Sequence, residues 1–202
     1  MTDTRTIEFF FDIGSSYSYL AATQIERVGA ETGLPVRWRP FLLGAVFKAT
    51  GNDMPARLPA KARYMLEDMT RWAEDYGIPF QLNSRFPLVT LRTQRALCAI
   101  ERIDPAKIAP VALALFRTFW AEDGDPTSDA EIGKAATTAG LDPAAVIASI
   151  DAQETKDLLR ANTDDAVSRG AFGAPAIYVG DMMFWGNDRL DLLVRTVRRA
   201  AR

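Results

Sequence analysis

The sequence predicts an α/β fold in which a long helical stretch interrupts a small β-sheet. Three observations predict this fold: a strand–helix–strand pattern opens the chain, stretches of helical periodicity fill its middle, and two apolar runs and a helix close it. The chain has 202 residues, 48% of them hydrophobic, so it can bury the core of one large domain or two small ones.

The first unit is a strand, a helix and a second strand. Ile7–Ile13 is an apolar run rich in aromatic residues, which is typical of a buried strand. Tyr19–Ala30 has apolar residues at helical spacing, and Ser15–Ser18 carries hydroxyls suited to capping that helix. Val36–Phe41 then resumes an extended pattern. In such a βαβ unit the crossover is right-handed and ligands gather at the C-terminal end of the strand, where Ser15 lies.

The middle of the chain is helical and rich in alanine. Six stretches have helical spacing, namely Lys61–Tyr76, Leu91–Ile103, Lys107–Ala121, Asp129–Ala139, Pro143–Ile150 and Glu154–Arg169. No strand is predicted between them, and Gly51–Pro59 is the one candidate linker. Residues 44–169 are therefore predicted to form an all-helical insertion.

The sheet is predicted to resume near the end of the chain. Ala176–Val179 and Met182–Trp185 are short apolar runs separated by Gly180 and Asp181, which indicates a hairpin, and Arg189–Arg202 follows as a closing helix. Residues 1–43 and 170–202 would then form one discontinuous domain around the insertion.

The residue types that the chain lacks restrict its chemistry. It contains no histidine, and Cys98 is its only cysteine. Histidine-dependent nucleophile pairs, His-ligated zinc and an intrachain disulfide are therefore excluded, and no cluster of residues predicts a metal. Cys98 lies in an amphipathic helical pattern, so we expect a buried structural thiol without a catalytic role.

Charge and hydropathy restrict the partners. The net charge is −2, with 24 basic and 26 acidic residues, and no basic stripe of the kind that binds nucleic acid. No apolar run has the length of a membrane span, and the N-terminal MTDTRTIEFFFDIG does not have the pattern of a signal peptide. We expect a cytoplasmic protein that binds neither nucleic acid nor membranes.

A βαβ half, a helical insertion and a ββα half make up the layout of thioredoxin with its middle expanded. Four segments carry a more specific resemblance: FFFDIGSSYSYLA, WRPFLLGAVFKATGN, RWAEDYGIPF and RGAFGAPAIYVGDMMFWGNDRL. Together they resemble the 2-hydroxychromene-2-carboxylate isomerases, which are relatives of the kappa-class glutathione transferases within the DsbA-like thioredoxin-fold superfamily. The resemblance covers nearly the whole chain.

The resemblance implies a thioredoxin-like domain with glutathione as cofactor. It also implies isomerisation of 2-hydroxychromene-2-carboxylate, or a related intermediate of aromatic-hydrocarbon catabolism such as naphthalene degradation, to trans-o-hydroxybenzylidenepyruvate. Relatives of this type are commonly homodimers.

Ser15 is the candidate catalytic residue. It stands where thioredoxin-like redox enzymes carry the first cysteine of Cys-x-x-Cys, and Ser18 stands at the second, so redox turnover of that type is excluded. A hydroxyl at a helix N-terminus can instead stabilise the glutathione thiolate and lower the pKa of the thiol. The alternative is that Ser15 or Ser16 only caps the helix. Relatives commonly carry proline where this chain has Ser16, a departure that bears on loop rigidity and substrate choice.

The resemblance also implies which residues bind glutathione. Ala174 precedes a proline that is cis in thioredoxin-like folds, and its main chain would pair with the cysteinyl unit. The segment that holds the γ-glutamyl end of glutathione in related transferases corresponds here to Trp185, Gly186, Asn187 and Asp188. A carboxylate in this segment suits the free ammonium group of glutathione, and the N-terminal amides of the helix suit its carboxylate. From the residues alone, an ordinary tight turn before the strand and simple helix capping by Asn187 or Asp188 remain alternatives.

The substrate would bind beside the segment that leaves the sheet for the helical domain, since ligands often bind between domains. Lys48, with Arg57 as second candidate, would supply a cation for the substrate carboxylate, and Asn52 a hydrogen bond to substrate or cofactor. The aromatic candidates are Phe47, Phe86, Tyr64 and Trp185. The alternative is that the cations are simply solvated and that the aromatic side chains belong to the core.

Two other functions use the same residues. A kappa-like glutathione transferase or peroxidase would consume glutathione, whereas the isomerase regenerates it. A thioredoxin-like binding module would have no catalysis at all.

Overall fold

The computed structural model of this chain describes residues 6–200. Within that range the sheet has four strands: β1 (Ile7–Phe11), β2 (Val36–Pro40), β3 (Ala176–Val179) and β4 (Met182–Trp185). Ten α-helices occur in the same range: α1 (Ser16–Ala22), α2 (Ile25–Thr32), α3 (Leu43–Thr50), α4 (Pro59–Tyr76), α5 (Leu91–Ile103), α6 (Ile108–Trp120), α7 (Asp129–Thr138), α8 (Pro143–Ser149), α9 (Gln153–Ser168) and α10 (Leu190–Ala200). Positions 1–5 of the predicted first domain and positions 201–202 of the predicted closing helix lie outside the described residues.

The strand order is β2-β1-β3-β4. Strand β1 runs parallel to β2, with Ile7 opposite Val36, and antiparallel to β3, with Ile7 opposite Val179. Strands β3 and β4 form a hairpin whose turn includes Gly180 at φ +59°, a left-handed conformation that favours glycine. The predicted α/β fold is confirmed: a βαβ half and a ββα half share one mixed sheet, and helices fill the chain between them.

Strand β1 carries buried aromatic side chains on both faces, since helices cover both faces of the sheet. Phe9 and Phe11 point into the main core, where the rings of Phe9 and Trp38 meet edge to face at 5.0 Å. Phe10 lies on the opposite face, edge to face with Tyr178 at 5.6 Å between centroids. The main core also contains side chains of α5 and α6, such as Phe116. The division of the chain into two domains stays a prediction.

The single helix predicted for Tyr19–Ala30 is wrong, because the segment forms the two helices α1 and α2. Helix α1 ends at Thr23, whose N–H and hydroxyl both bond to carbonyl groups of the preceding turn. Helix α1 also begins before Tyr19, since the Ser15 hydroxyl caps it by accepting the N–H of Ser18.

Helix α3 is absent from the sequence prediction. Its N-cap position holds Leu42, which makes no side-chain capping bond. The carboxylate of Asp12 instead accepts the N–H of Leu43 at 2.8 Å. The start of α3 therefore depends on a residue 31 positions away, which no local pattern reveals.

The six predicted helices of the middle region all occur, as α4 to α9, with ends within two residues of the predicted ones. Helix α4 begins at Pro59 and ends before Gly77, which has φ +65°. Short 3-10 helices, Pro105–Lys107 and Asn187–Arg189, precede α6 and α10. None of the helices in the described range combines the length and the apolar character that crossing a bilayer requires.

Candidate functional site

A cleft of about 780 Å³ opens beside the loop that follows β1. Its walls are that loop with the start of α1, α3 and the segment after it, one face of α4, Phe86, the residues around the Ala174–Pro175 bond, and the corner after β4. This volume lies within the usual range for a small-molecule site. The cleft therefore gathers segments from both ends of the chain around one cavity.

Ser15 lies on the cleft and is held from three sides. Its N–H donates to the carbonyl of Asp12 at 2.9 Å, and its Oγ accepts the N–H of Ser18 at 3.1 Å. The same hydroxyl donates to the carbonyl of Ala174 at 3.2 Å. The side chain is thus a helix cap and a cleft residue at once, with its proton directed at a main-chain oxygen.

The segment opposite Ser15 exposes its backbone to the cleft. The Ala174–Pro175 bond is cis, and Gly173 and Ala174 both line the cavity. A Cβ on Gly173 would meet Nε1 of Trp185 at 2.7 Å, so the indole lies directly over the glycine. Trp185 is 47% exposed, and its ring lies 4.9 Å from that of Phe172.

The corner after β4 brings an amide and a carboxylate to one end of the cleft. Gly186 has φ +100°, and a Cβ there would meet Oδ1 of Asp188 at 2.6 Å. Asn187 is only 2% exposed and donates from Nδ2 to the hydroxyl of Tyr76. Asp188 pairs with Arg189 at 2.6 Å. Both side chains therefore bond to other side chains rather than to helix N–H groups.

Four of the substrate-site candidates from the sequence line the cleft, namely Phe47, Asn52, Tyr64 and Phe86. The Nδ2 of Asn52 donates to the carbonyl of residue 172 at 2.8 Å, so the segment after α3 is joined to the segment before the cis-proline. The Phe86 ring lies on the wall of the cleft and against the core, 5.6 Å from that of Trp120.

Lys48 and Arg57 are not among the residues that line the cleft. Because neighbouring residues of a helix point about 100° apart, the placement of Phe47 on the cleft turns Lys48 outward, where it is exposed. Arg57 pairs with Asp53 at 2.6 Å. The basic side chain on the described lining is Lys61, in the first turn of α4.

Of the cleft wall that α4 forms, sequence reasoning found only Tyr64. Lys61, Met65, Asp68 and Trp72 all line the cleft and lie on one face of α4, at spacings of four, three and four residues. That spacing is the signal that could have found them. Across the cleft, Tyr17 donates to Oδ2 of Asp68 at 3.0 Å, and burial together with that carboxylate raises the pKa of Tyr17.

The described residues contain no group of three or more acidic or sulfur ligands that could hold a metal ion. Cys98 is fully buried in α5, away from the cleft, and burial raises the pKa of its thiol. The chemistry that the cleft offers is thus hydrogen bonding from hydroxyl and main-chain groups, two carboxylates, one cation and an aromatic surface.

The fold and the site define a thioredoxin-like protein with serine at the start of the first helix and a cis-proline opposite it. Residues 6–198 match the family model described as the DSBA-like thioredoxin domain. The chain therefore belongs to the DsbA-like thioredoxin family, in the group that holds the 2-hydroxychromene-2-carboxylate isomerases and the kappa-class glutathione transferases.

Three relatives illustrate this membership. A 2-hydroxychromene-2-carboxylate isomerase of Sphingobium xenophagum is 31% identical, with 94% of this chain and 96% of that protein covered. Glutathione S-transferase kappa 2 of Caenorhabditis elegans is 30% identical, with 94% and 90% covered. A solved structure of a 2-hydroxychromene-2-carboxylate isomerase superimposes with a TM-score of 0.87 at 27% identity, over 98% of this chain and 96% of that one.

Proposed function

We propose that this protein is a glutathione-dependent cis–trans isomerase. Its reaction would convert 2-hydroxychromene-2-carboxylate, or a related intermediate of aromatic catabolism, to trans-o-hydroxybenzylidenepyruvate. The main support is the hydroxyl of Ser15, which lies in an aromatic-lined cleft 3.2 Å from the main chain of Ala174. Relatives named as isomerases, at 31% and 28% identity over nearly their full length, support the same proposal.

The residues of the cleft fit glutathione. The exposed backbone at Ala174 suits the cysteinyl unit, because an extended peptide pairs with main-chain groups of this kind. The carboxylate of Asp188, with Asn187, Gly186 and Trp185 beside it, suits the γ-glutamyl ammonium group. Lys61 suits a carboxylate, either that of glutathione's glycine or that of the substrate.

When bound, glutathione would supply a thiolate that adds to the conjugated double bond once the hemiketal ring has opened, permits rotation about the resulting single bond, and is eliminated again, so that the double bond and glutathione are both restored. Ser15 would stabilise that thiolate by donating its hydroxyl hydrogen bond, which lowers the pKa of the thiol. The hydroxyl can turn its proton from the Ala174 carbonyl toward sulfur while Oγ still accepts the N–H of Ser18. The bonds of its Oγ and of its N–H fix the position of Ser15 before a ligand binds, so the group is preorganised.

The aromatic lining of the cleft suits an aromatic substrate. Phe47, Tyr64, Phe86 and Trp185 supply ring faces and edges, and Asn52 supplies an amide at the boundary. Such walls exclude water, which strengthens the hydrogen bonds that stabilise charge. Lys48 and Arg57 lie off the lining, so Lys61 replaces them as the candidate cation for the substrate carboxylate. The homodimer and the cytoplasmic location stay predictions.

A kappa-like transferase or peroxidase is the second candidate. A kappa-class transferase at 30% identity supports it, and it would use the same cleft. Consumption of glutathione separates the two, because an isomerase regenerates it. A binding module without catalysis is the third candidate and would show binding without turnover.

The decisive experiment is conversion of 2-hydroxychromene-2-carboxylate in the presence of glutathione, followed by ultraviolet absorbance. We expect turnover without net loss of glutathione, and in Ser15→Ala a fall in kcat of about 100-fold or more, as for loss of one preorganised donor. Ser128→Ala is the matched control, since Ser128 caps α7 by accepting the N–H of Glu131 and lies outside the cleft. Both variants lose about 1 kcal/mol of stability as cap deletions, so only a specific loss of kcat in Ser15→Ala supports the proposal.

Conversion that continues without glutathione would contradict the proposal. Loss of glutathione in proportion to product would favour the transferase. Binding of glutathione without turnover of this substrate would leave a transferase with another acceptor or a binding module.

A further inference from the structure

Asp12 is a buried carboxylate directly behind the cleft. It is 3% exposed, and it follows the last residue of β1. Its Oδ1 accepts the N–H of Gly14 at 2.9 Å and the hydroxyl of Thr90 at 2.6 Å, while its Oδ2 accepts the N–H of Leu43 at 2.8 Å. All three donors are uncharged, so none of them neutralises the charge of this buried group.

Each of the three donors belongs to a different wall of the cleft. Gly14 precedes Ser15 in the loop after β1. Leu43 begins α3, which carries Phe47 on the cleft four residues later. Thr90 ends the segment that carries Phe86 on the cleft. One carboxylate therefore links three segments that contribute to the cleft.

The same carboxylate bonds at the N-terminal ends of two helices, α3 and α5. Thr90 occupies the N-cap position of α5, but its hydroxyl donates to Asp12 and makes no capping bond. Leu42 occupies the N-cap position of α3 and has no polar side chain, so Asp12 provides the acceptor for that helix. A cap typically contributes about 1 kcal/mol, so α3 depends on Asp12 for its start, while the Thr90 bond joins the residue before α5 to the same carboxylate.

We infer that Asp12 is a positioning residue of the glutathione site, which holds the Ser15 loop, α3 and the Phe86 segment in register with one another. The inference rests on the proposed function, because the purpose of this register is to align the Ser15 hydroxyl with the thiol of glutathione. It adds a residue that touches neither ligand and acts through Ser15 and the cleft walls. Such alignment matters because a displacement of about 1 Å at a reacting group can lower a rate by roughly 100-fold.

Asparagine cannot replace Asp12 although it has nearly the same shape. Backbone N–H groups face both carboxylate oxygens, from Gly14 on one side and Leu43 on the other. In either orientation the NH₂ group of an asparagine side chain would face one of these donors, and that main-chain donor would be left unsatisfied. Asp12→Asn therefore breaks the link while it preserves volume.

Thr90 provides a milder variant and a matched control. Thr90→Val keeps the shape and removes only the hydroxyl that donates to Asp12, whereas Thr90→Ser keeps that hydroxyl. Thermal unfolding of each variant establishes that it is folded before its activity is compared.

The test measures the pKa of the thiol of bound glutathione, from thiolate absorbance, together with kcat and KM. We expect Asp12→Asn to move that pKa toward the value of free glutathione and to lower kcat by roughly 10-fold to 100-fold. Thr90→Val should change the thiol pKa and kcat in the same directions as Asp12→Asn, but by smaller amounts. Thr90→Ser should have the same thiol pKa and kcat as the parent protein. In a Ser15→Ala background, Asp12→Asn should have no further effect on the thiol pKa.

The inference would be overturned if folded Asp12→Asn left the thiol pKa unchanged, because only a structural role would then remain. It would also be overturned if the effect of Asp12→Asn on the thiol pKa added in full to that of Ser15→Ala. If the parent protein does not bind glutathione, the proposed function fails by itself, and amide hydrogen exchange then tests the register without a ligand. Faster exchange at Gly14 and Leu43 in Asp12→Asn, with β1 still protected, would support the positioning role. Unchanged exchange at both amides would refute it.

Discussion

At the residue scale, the cation of the cleft gives a direct test of ligand placement. Lys61 is the basic side chain on the described lining, while Lys48 and Arg57 lie off it. We expect Lys61→Met to weaken binding of glutathione or of the aromatic carboxylate by about 1 kcal/mol, roughly 5-fold, as for one partly solvated charge pair. Lys48→Met and Arg57→Met should change binding by less than about 2-fold. Calorimetric titration with each ligand separately would show which carboxylate Lys61 contacts.

The opposite result would restore the assignment made from the sequence. A loss of substrate binding in Lys48→Met, with no change in Lys61→Met, would place the substrate on the outer side of α3. Because Arg57 already pairs with Asp53, its substitution tests whether that pair opens when the ligand binds.

Asp12 should also make the free energy of unfolding depend on pH. Burial raises the pKa of this carboxyl above its usual 3.8, so the native state holds its proton over an interval in which the unfolded state has lost it. The stabilising contribution is complete below pH 3.8 and is lost as pH rises through the native pKa. We expect the difference in unfolding free energy between the parent protein and Asp12→Asn to fall across that interval, as measured by urea unfolding at several pH values. Thr90→Val keeps the carboxyl and should retain the slope; a difference that does not depend on pH would contradict the shift.

The single thiol offers a third test at this scale. Cys98 is fully buried, and burial raises the pKa of its thiol, so both access and thiolate formation are suppressed. We expect no reaction of the native protein with a thiol-specific disulfide reagent and reaction of one thiol per chain after denaturation. Labelling of the native protein at neutral pH would show that α5 opens locally.

At the element scale, local patterns predicted the elements whose ends are set locally. Strands β3 and β4 and helix α5 have the predicted bounds, because the turn at Gly180 separates the two strands and the apolar periodicity of α5 lies within its own sequence. Helix α3 could not be predicted, since its first turn is capped by Asp12 from the end of β1. The break between α1 and α2 is local, but it was missed because the apolar spacing continues across it and only the bonds of Thr23 to its preceding turn reveal it.

The same distinction holds for the cleft. Ser15, Ala174 and the corner at Asn187 could be pointed to from short segments around them. The cation could not, because Lys48 and Lys61 are equally polar and only the orientation of α3 and α4 decides which one lines the cavity.

At the element scale, the glycine that ends a helix gives a prediction about stability. Gly77 ends α4 at φ +65°, and nothing lies within 4 Å of a Cβ built there, so the cost of Gly77→Ala is purely conformational. We expect it to lower the unfolding free energy by about 1 kcal/mol. Gly44, in α3, also has open space around it but an ordinary φ, so Gly44→Ala should stabilise by about 0.5 kcal/mol. Equal effects of both substitutions in chemical denaturation would contradict this account.

At the scale of the whole molecule, the sheet holds different kinds of core on its two faces. One face packs into the main apolar cluster that reaches α5 and α6. The other carries Phe10 under the guanidinium of Arg39, which lies 4.4 Å from the ring centroid and pairs with Glu8 and Asp165. Because the apolar cluster includes side chains of both sheet and helices, the interface between the two predicted domains contains core rather than surface.

That shared core predicts a single cooperative unfolding transition. Trp38 reports on the sheet and Trp120 on α6, and both belong to the main apolar cluster. The fluorescence of each can be isolated by Trp→Phe substitution at the other tryptophans. We expect both signals to change at the same urea concentration as the helical circular dichroism signal, because neither the sheet nor the helical region can expose its core without the other. Glutathione at about 100 times its dissociation constant should stabilise both probes equally, by about 2.7 kcal/mol. Two separated transitions, with glutathione acting on only one of them, would instead establish residues 44–169 as an independently folding insertion.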